Sequence, residues 1–362
     1  SMRVLVVDDS ALFRRAVSDA LAALPEVEVV GVASNGKLAL ARLAELQPDL
    51  LTLDMEMPEM NGLEVLQALS SADRRPGVIL LSAHTVRGGQ MTVRALELGA
   101  FDFVTKPESG SALENVDRIR ERLRPMLRAF QRQRDIRRVL RQEKGTVDRF
   151  TQPTGTAGAV RRGPPMVLIG VSTGGPQALA QLLPALPGTL AAPVFIVQHM
   201  PPLFTEPLAA SLRGKCKLRV FHAAEGQRAE AGCVYLAPGG SHMKLTRGPR
   251  GEIVIRITTD PPENNCRPSV DYLFRSAALE FPGRAVAVIL TGMGNDGAAG
   301  LRQLKRGGCQ AIAQDEASCV VFGMPGEAIK TGAVDMVLPL SQIGAAIERI
   351  VLTGSGKEGV RS

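Results

Sequence analysis

Two groups of residues in this chain have the types and spacing for covalent chemistry. The first is Gly170-Val171-Ser172-Thr173-Gly174-Gly175, where a serine stands among glycines directly after an apolar run. A Gly-X-Ser-X-Gly turn between a strand and a helix exposes the hydroxyl, and amides at the helix start can hold a developing oxyanion. Thr173 and Gly174 carry the nearest such amides, and Met293 lies in a second glycine-rich turn. A turn of this kind could equally cradle a phosphate, so the motif alone leaves both chemistries open. His199 directly follows the apolar run Val194–Gln198, and Asp296 follows the run Val286–Leu290 within Thr291-Gly292-Met293-Gly294-Asn295-Asp296-Gly297. A serine nucleophile, an imidazole base and a carboxylate that orients the base are what acyl transfer requires. Their order, Ser–His–Asp, differs from the Ser–Asp–His order of common hydrolases, which argues against an ordinary esterase fold. His222 and His242 read as ordinary surface or turn histidines.

The second group lies in the N-terminal third. Asp8 and Asp9 follow one apolar run and Asp54 ends another, while Ser82 and Lys106-Pro107 follow two more. Three carboxylates in one crevice repel one another unless a cation sits among them. Mg2+ suits Asp8, Asp9 and Asp54, because it takes one or two carboxylates together with waters and phosphate oxygens. Asp54 is then placed to act as a nucleophile toward a phosphoryl group. Lys106 would neutralise the added charge, and the Ser82 hydroxyl would donate to a phosphoryl oxygen.

These residues need scaffolds that bring strand ends together. Arg3–Val7, Val27–Ala33, Leu50–Leu53, Val78–Leu81 and Phe101–Thr105 read as strands. Ala11–Leu24, Lys37–Leu46, Leu63–Ser70 and Thr92–Leu98 carry apolar residues at helical spacing. This alternation predicts a parallel, doubly wound sheet whose ligands sit beyond the carboxyl ends of its strands. The alternation returns after Pro165 with Val167–Val171, Val194–Gln198 and Ala285–Leu290. His242–Arg247 and Glu252–Thr258 predict an antiparallel hairpin around Gly248–Gly251. The fold class is therefore α/β, with two mostly parallel, doubly wound domains.

A chain of 362 residues is long enough for two cores. The expected divisions are a first domain at 2–129, a basic helix and flexible linker at 130–164, a second domain at 165–350, and a tail at 351–362. Ser1 reads as a cleavage scar and is set aside. There is no apolar run of membrane-spanning length and no signal-peptide pattern, so neither insertion nor export is expected. Five cysteines, odd in number and without metal-ligand spacing, fit a reducing cytoplasm. The net charge of +7 invites a nucleic-acid partner, but twelve Lys or Arg against four Asp or Glu fall between Arg118 and Arg149. The rest of the chain is close to neutral, so the basic character belongs to one solvated segment and no nucleic-acid partner is expected.

The first domain resembles the response-regulator receiver family, through Val-Val-Asp-Asp-Ser-Ala at 6–11, Leu-Asp-Met-Glu-Met-Pro-Glu-Met-Asn-Gly at 53–62 and Val-Thr-Lys-Pro at 104–107. That likeness implies a flavodoxin-like sheet, Asp54 as phospho-acceptor, a histidine kinase as donor, Ser82 and Lys106 as switch residues, and a cis Lys106–Pro107 peptide. The second domain resembles the catalytic domain of the chemotaxis protein-glutamate methylesterases. The matching stretches are Ile-Gly-Val-Ser-Thr-Gly-Gly-Pro at 169–176, Val-Gln-His-Met at 197–200, Arg-Pro-Ser-Val-Asp-Tyr-Leu-Phe at 267–274, Leu-Thr-Gly-Met-Gly-Asn-Asp-Gly-Ala at 290–298, and Ala-Gln-Asp-Glu-Ala-Ser-Cys-Val-Val-Phe-Gly-Met-Pro at 313–325. This likeness implies a Rossmann-like hydrolase domain that demethylates, and deamidates, glutamate sites of chemoreceptors. Ser172 would be the nucleophile, His199 the base, and Asp296 the group that orients it. Cys266 stands where that family often has histidine, which bears on rim contacts or fine pH behaviour. An elongated receptor must reach Ser172 at an open sheet edge that a docked receiver would cover, so the unphosphorylated receiver is expected to inhibit by occlusion.

Three rivals remain. A DNA-binding output domain needs a basic recognition helix, which is not evident. A dinucleotide-binding oxidoreductase needs Gly-X-Gly-X-X-Gly, and the spacing at 170–175 is wrong. An adaptor without catalysis sits poorly with an intact Ser–His–Asp set.

Overall fold

The computed structural model describes residues 1–71, 75–142 and 165–354. Of the helix and linker expected at 130–164, residues 130–142 are helical and 143–164 lie outside the described residues; of the tail expected at 351–362, residues 351–354 instead end a helix and 355–362 lie outside. The chain divides into two compact units, Ser1–Lys144 and Gly145–Ser362.

In the first unit the elements alternate as β1 (Met2–Val7), α1 (Ala11–Ala22), β2 (Val27–Ala33), α2 (Gly36–Leu46), β3 (Leu50–Asp54), α3 (Gly62–Leu69), β4 (Gly77–Ser82), α4 (Val86–Glu97), β5 (Asp102–Thr105) and α5 (Ala112–Gln142). The sheet runs β2-β1-β3-β4-β5 with every pairing parallel. The strand order reverses between β1 and β3, so Asp8 and Asp54 flank the crevice where such sheets bind ligands. Side chains of β1 and β3 are buried almost without interruption, as expected of strands covered on both faces.

Helix starts follow short-range chemistry. Ser10, Asn35, Asn61 and Thr85 each accept from an amide of the first turn. Asn61 adds a reciprocal bond from its own amide to Glu64, a capping box. Helix α4 begins six residues before the expected Thr92. Gly88 and Gly89 weaken the helical pattern in sequence. A Cβ on Gly88 would lie 2.6 Å from the Ala83 carbonyl, so glycine is needed for the tight start. The Lys106–Pro107 peptide is trans. Among the described residues the cis bond is Arg267–Pro268. The two isomers of an X–Pro bond differ by only about 0.5–1 kcal/mol, so packing decides between them. Helix α5 continues to Gln142, and Phe130 packs edge-on to Phe101 at 5.3 Å.

The second unit contains β6 (Met166–Val171), α6 (Gly175–Leu182), β7 (Val194–Gln198), α7 (Thr205–Arg213), β8 (Arg219–His222), β9 (Cys233–Leu236), β10 (His242–Arg247), β11 (Ile253–Thr258), α8 (Val270–Glu280), β12 (Ala285–Ile289), α9 (Ala298–Arg306), β13 (Gln310–Gln314), α10 (Met324–Lys330), β14 (Met336–Leu338) and α11 (Leu340–Gly354). Seven strands form one parallel sheet in the order β14-β13-β12-β6-β7-β9-β8. Strands β8, β9, β13 and β14 extend it beyond the runs legible in sequence, being only three to five residues long. The expected hairpin is present as β10–β11, a separate two-stranded sheet. Phe195, Tyr235 and Phe221 stack beside it at 5.5 and 5.6 Å between neighbouring rings. Chain order turns outward in both directions from β6 and β12, so this pair is the switch point. Ser172 follows one of these strands and Asp296 the loop of the other.

Candidate functional sites

In the first unit, Lys106 Nζ lies 2.8 Å from both Asp8 Oδ2 and Asp54 Oδ2. Asp8 and Asp54 are buried, whereas Asp9 is exposed, and the three carboxylates approach within 4.8 Å of one another. Burial pushes Asp54 up to about 6, against the pull of Lys106 and with the push of Asp8. Burial likewise raises Asp8. On Lys106 burial acts downward, but the two carboxylates outweigh it and raise the ammonium group. Lys106 offers one charge to two buried acids. Asp8 Oδ2 faces Lys106 and takes no other hydrogen bond among the described residues, which leaves it a lone pair for a further ligand. This donor set fits a hard divalent cation. Ser82 is fully buried; it accepts from Thr92 Oγ1 at 2.8 Å and donates to the Ala83 carbonyl at 3.2 Å. Thr92 was not singled out in sequence, since a threonine on a helix face carries no distinguishing pattern.

In the second unit, His199 Nε2 lies 2.7 Å from Asp296 Oδ2. Four further donors reach that carboxylate. Asn264 Nδ2 and Ser269 Oγ bond Oδ1 at 3.0 and 2.9 Å, while the Asp271 and Val270 amides bond Oδ1 and Oδ2 at 3.0 and 2.7 Å. Val270 and Asp271 open α8, so Asp296 occupies an anion position at a helix N-terminus. Asp271 in turn accepts from the Gly300 amide of α9 at 2.6 Å, so each helix start is held by an acid from the other segment. Burial would raise Asp296, but the bond and charge of His199 and the two amides hold it down to about 2. Burial would lower His199, but its bonds to Asp296 and Cys266 raise it to about 9.

Ser172 follows β6 in the sharp turn that the glycines permit. Gly174 has φ 80°, and Gly175 begins α6 with Pro176 in its first turn. Two backbone bonds and one side-chain amide tie the three strand ends together: His199 N donates to Val171 O, Ser172 N to Thr291 O, and Gln198 Nε2 to Ser172 O. Gly292 is required here, because a Cβ would stand 2.6 Å from Ser172 Cβ and from Met324 Sδ. Ser172 is half-buried, and its hydroxyl makes no hydrogen bond to His199 in this arrangement. The second ring nitrogen of His199 faces Cys266 Sγ at 3.7 Å. Of the two expectations for Cys266, rim contacts or fine pH behaviour, its place beside the base favours the second; the turn at Asn264 and Asn265 brings the thiol there.

His242 also differs from expectation. It is fully buried in β10, stacked on Tyr272 at 4.2 Å, with Nε2 on the Pro261 carbonyl and Nδ1 accepting from the Ser269 amide. It therefore fixes a residue that holds Asp296. His222 ends β8, half-buried, within 3.1 Å of Glu206. Thr291 and Gln314 take a positioning role that no local sequence pattern marks. Thr291 Oγ1 donates to Thr173 O at 2.9 Å, and its amide donates to Gln314 Oε1 at 2.8 Å, joining the serine turn to β12 and β13.

Fold and site define a two-unit α/β protein with a receiver-type acidic crevice in one unit and a hydrolase-type serine, histidine and aspartate edge in the other. Residues 167–347 match the CheB methylesterase family and residues 4–117 the response regulator receiver domain. Among curated proteins, the protein-glutamate methylesterase/protein-glutamine glutaminase of Desulfotalea psychrophila is 45% identical over 97% of this chain and 99% of its own. The like-named protein of Bacillus subtilis is 42% identical over 97% and 98%. The crystal structure of the Thermotoga maritima CheB methylesterase catalytic domain matches with a TM-score of 0.51 and 40% identity, covering 52% of this chain and 100% of that one. The chain belongs to the CheB methylesterase family and carries a receiver domain. No helix among the described residues is long and apolar enough to cross a membrane.

Proposed function

We propose that this chain hydrolyses glutamate methyl esters on chemoreceptors and deamidates receptor glutamines, in the cytoplasm, under control of phosphorylation at Asp54 by a histidine kinase. The supporting observation is the His199–Asp296 pair at the strand ends that flank the Ser172 turn, in a chain related along its whole length to proteins named for both activities. In this reading Ser172 Oγ attacks the ester carbonyl as His199 takes its proton. Amides near Thr173, Gly174 and Met293 hold the oxyanion. Methanol leaves with the proton returned by His199, and water then repeats the sequence on the acyl-enzyme. Asp296 stays ionised throughout, since its five donors all favour the charged form. Methanol release from methylated receptor membranes tests the assignment: wild-type chain should release it and Ser172→Ala should not, and equal release would overturn the reading.

In the receiver, Asp8, Asp9 and Asp54 would hold Mg2+, which when bound screens the phosphoryl charge from the carboxylates. Asp54 is the acceptor, Lys106 shifts from bridging two acids to pairing with the acquired phosphoryl group, and Ser82 breaks its present bonds to donate to it. The domain limits 2–129 and 165–350 bracket both family matches.

A further inference from the structure

Cys266, His199 and Asp296 form a second constellation that shares its imidazole with the serine site. Cys266 Sγ stands 3.7 Å from His199 Nδ1, and His199 Nε2 is held at 2.7 Å by Asp296. A thiol, an imidazole and a carboxylate in series are the parts of an activated cysteine nucleophile, with the acid orienting the ring that takes the thiol proton. Cys266 is partly exposed, whereas Cys233, Cys309 and Cys319 are buried. Its backbone is pinned by reciprocal bonds with Glu263 at 2.8 and 3.0 Å, and the side chains of Asn264 and Asp296 are themselves bonded, so the loop holds the thiol against the ring.

We propose that Cys266 is a nucleophilic modification site for soft carbon electrophiles, and that its modification switches off the serine chemistry by capturing His199. In the reaction Sγ attacks the electrophilic carbon, the S–C bond forms as the bond to the leaving group breaks, and the thiol proton passes to His199 Nδ1. No oxidation or reduction occurs. The adduct then occupies the Nδ1 edge of the ring, the edge left for a nucleophile while Asp296 holds Nε2.

Iodoacetamide on the full-length chain, with each cysteine followed by peptide mass spectrometry, tests this. Cys216 is the internal control, partly exposed like Cys266 but with its thiol pushed up to about 11 by burial. Cys266 should react at least about tenfold faster than Cys216 at equal pH. His199→Gln should bring the Cys266 rate down toward that of Cys216. Loss of esterase turnover should track Cys266 alkylation, and whatever turnover Cys266→Ser has should survive the reagent. Equal rates for Cys266 and Cys216 in the wild-type chain would overturn the proposal, as would full alkylation of Cys266 with turnover intact. The alkylation rates do not depend on the receptor substrate, so they separate this inference from the esterase reading.

Discussion

Five donors converge on the Asp296 carboxylate, two of them the amides that open α8. Each donor fits an ionised acceptor, and an amide at this position would turn an N–H toward one of them. Asp296→Asn should therefore slow turnover roughly ten-thousandfold, and Ser172→Ala or His199→Ala roughly a millionfold, because a nucleophile and its base act as a unit. Steady-state methanol release from the three variants orders them; an Asp296→Asn enzyme within tenfold of wild type would remove that residue from the site. The pH profile follows from the same pair. His199 titrates near 9, above its ordinary 6.5, so the free base grows as pH rises and kcat/KM should climb through neutrality and level off above about 9. The corresponding stability term has the opposite sense: it is fully present below pH 6.5 and disappears as pH rises through 9. A profile already flat at pH 7 would show that the ring is not held as imidazolium.

At the level of elements, strand ends and helix starts do the positioning. Gly170 faces Val270 of α8, where a Cβ would come within 2.4 Å of Cγ1, and Gly292 faces Ser172. Gly292→Ala should cost about 1–3 kcal/mol by overpacking and should also displace Ser172. Turnover should then fall much more than thermal stability. A variant with wild-type kcat and lowered Tm would mean that the close approach is only structural. In the receiver the acids sit at the ends of β1 and β3. Acetyl phosphate with Mg2+ should label the chain, and Asp54→Asn should abolish the label. Label persisting in that variant, or in excess chelator, would place the acceptor elsewhere.

At the scale of the whole molecule, two units on one chain share a high effective concentration, so even weak regulation between them would be nearly saturated. Because an elongated receptor must reach Ser172 at an open sheet edge, the expectation is inhibition by the unphosphorylated receiver. Deleting residues 2–144 should give a fragment faster than the unphosphorylated full chain and indifferent to acetyl phosphate. A slower fragment would make the receiver an activator.

Reading along the chain was enough for the alternation of strands and helices and for the residues at their ends, because apolar period and chain direction are local properties. Asp8, Asp54, Ser82 and Lys106 in one unit, and Ser172, His199 and Asp296 in the other, all follow recognisable runs. Short strands such as β14, three residues long, carry too few side chains to show a period. The trans Lys106–Pro107 bond turns on an energy difference smaller than ordinary packing effects. His242 and Cys266 are separated from their partners by 27 and 67 positions, and no local pattern marks either. Where each residue stands along a strand is written in its neighbours. What each imidazole touches depends on how distant segments fold over it, and that requires the assembled core.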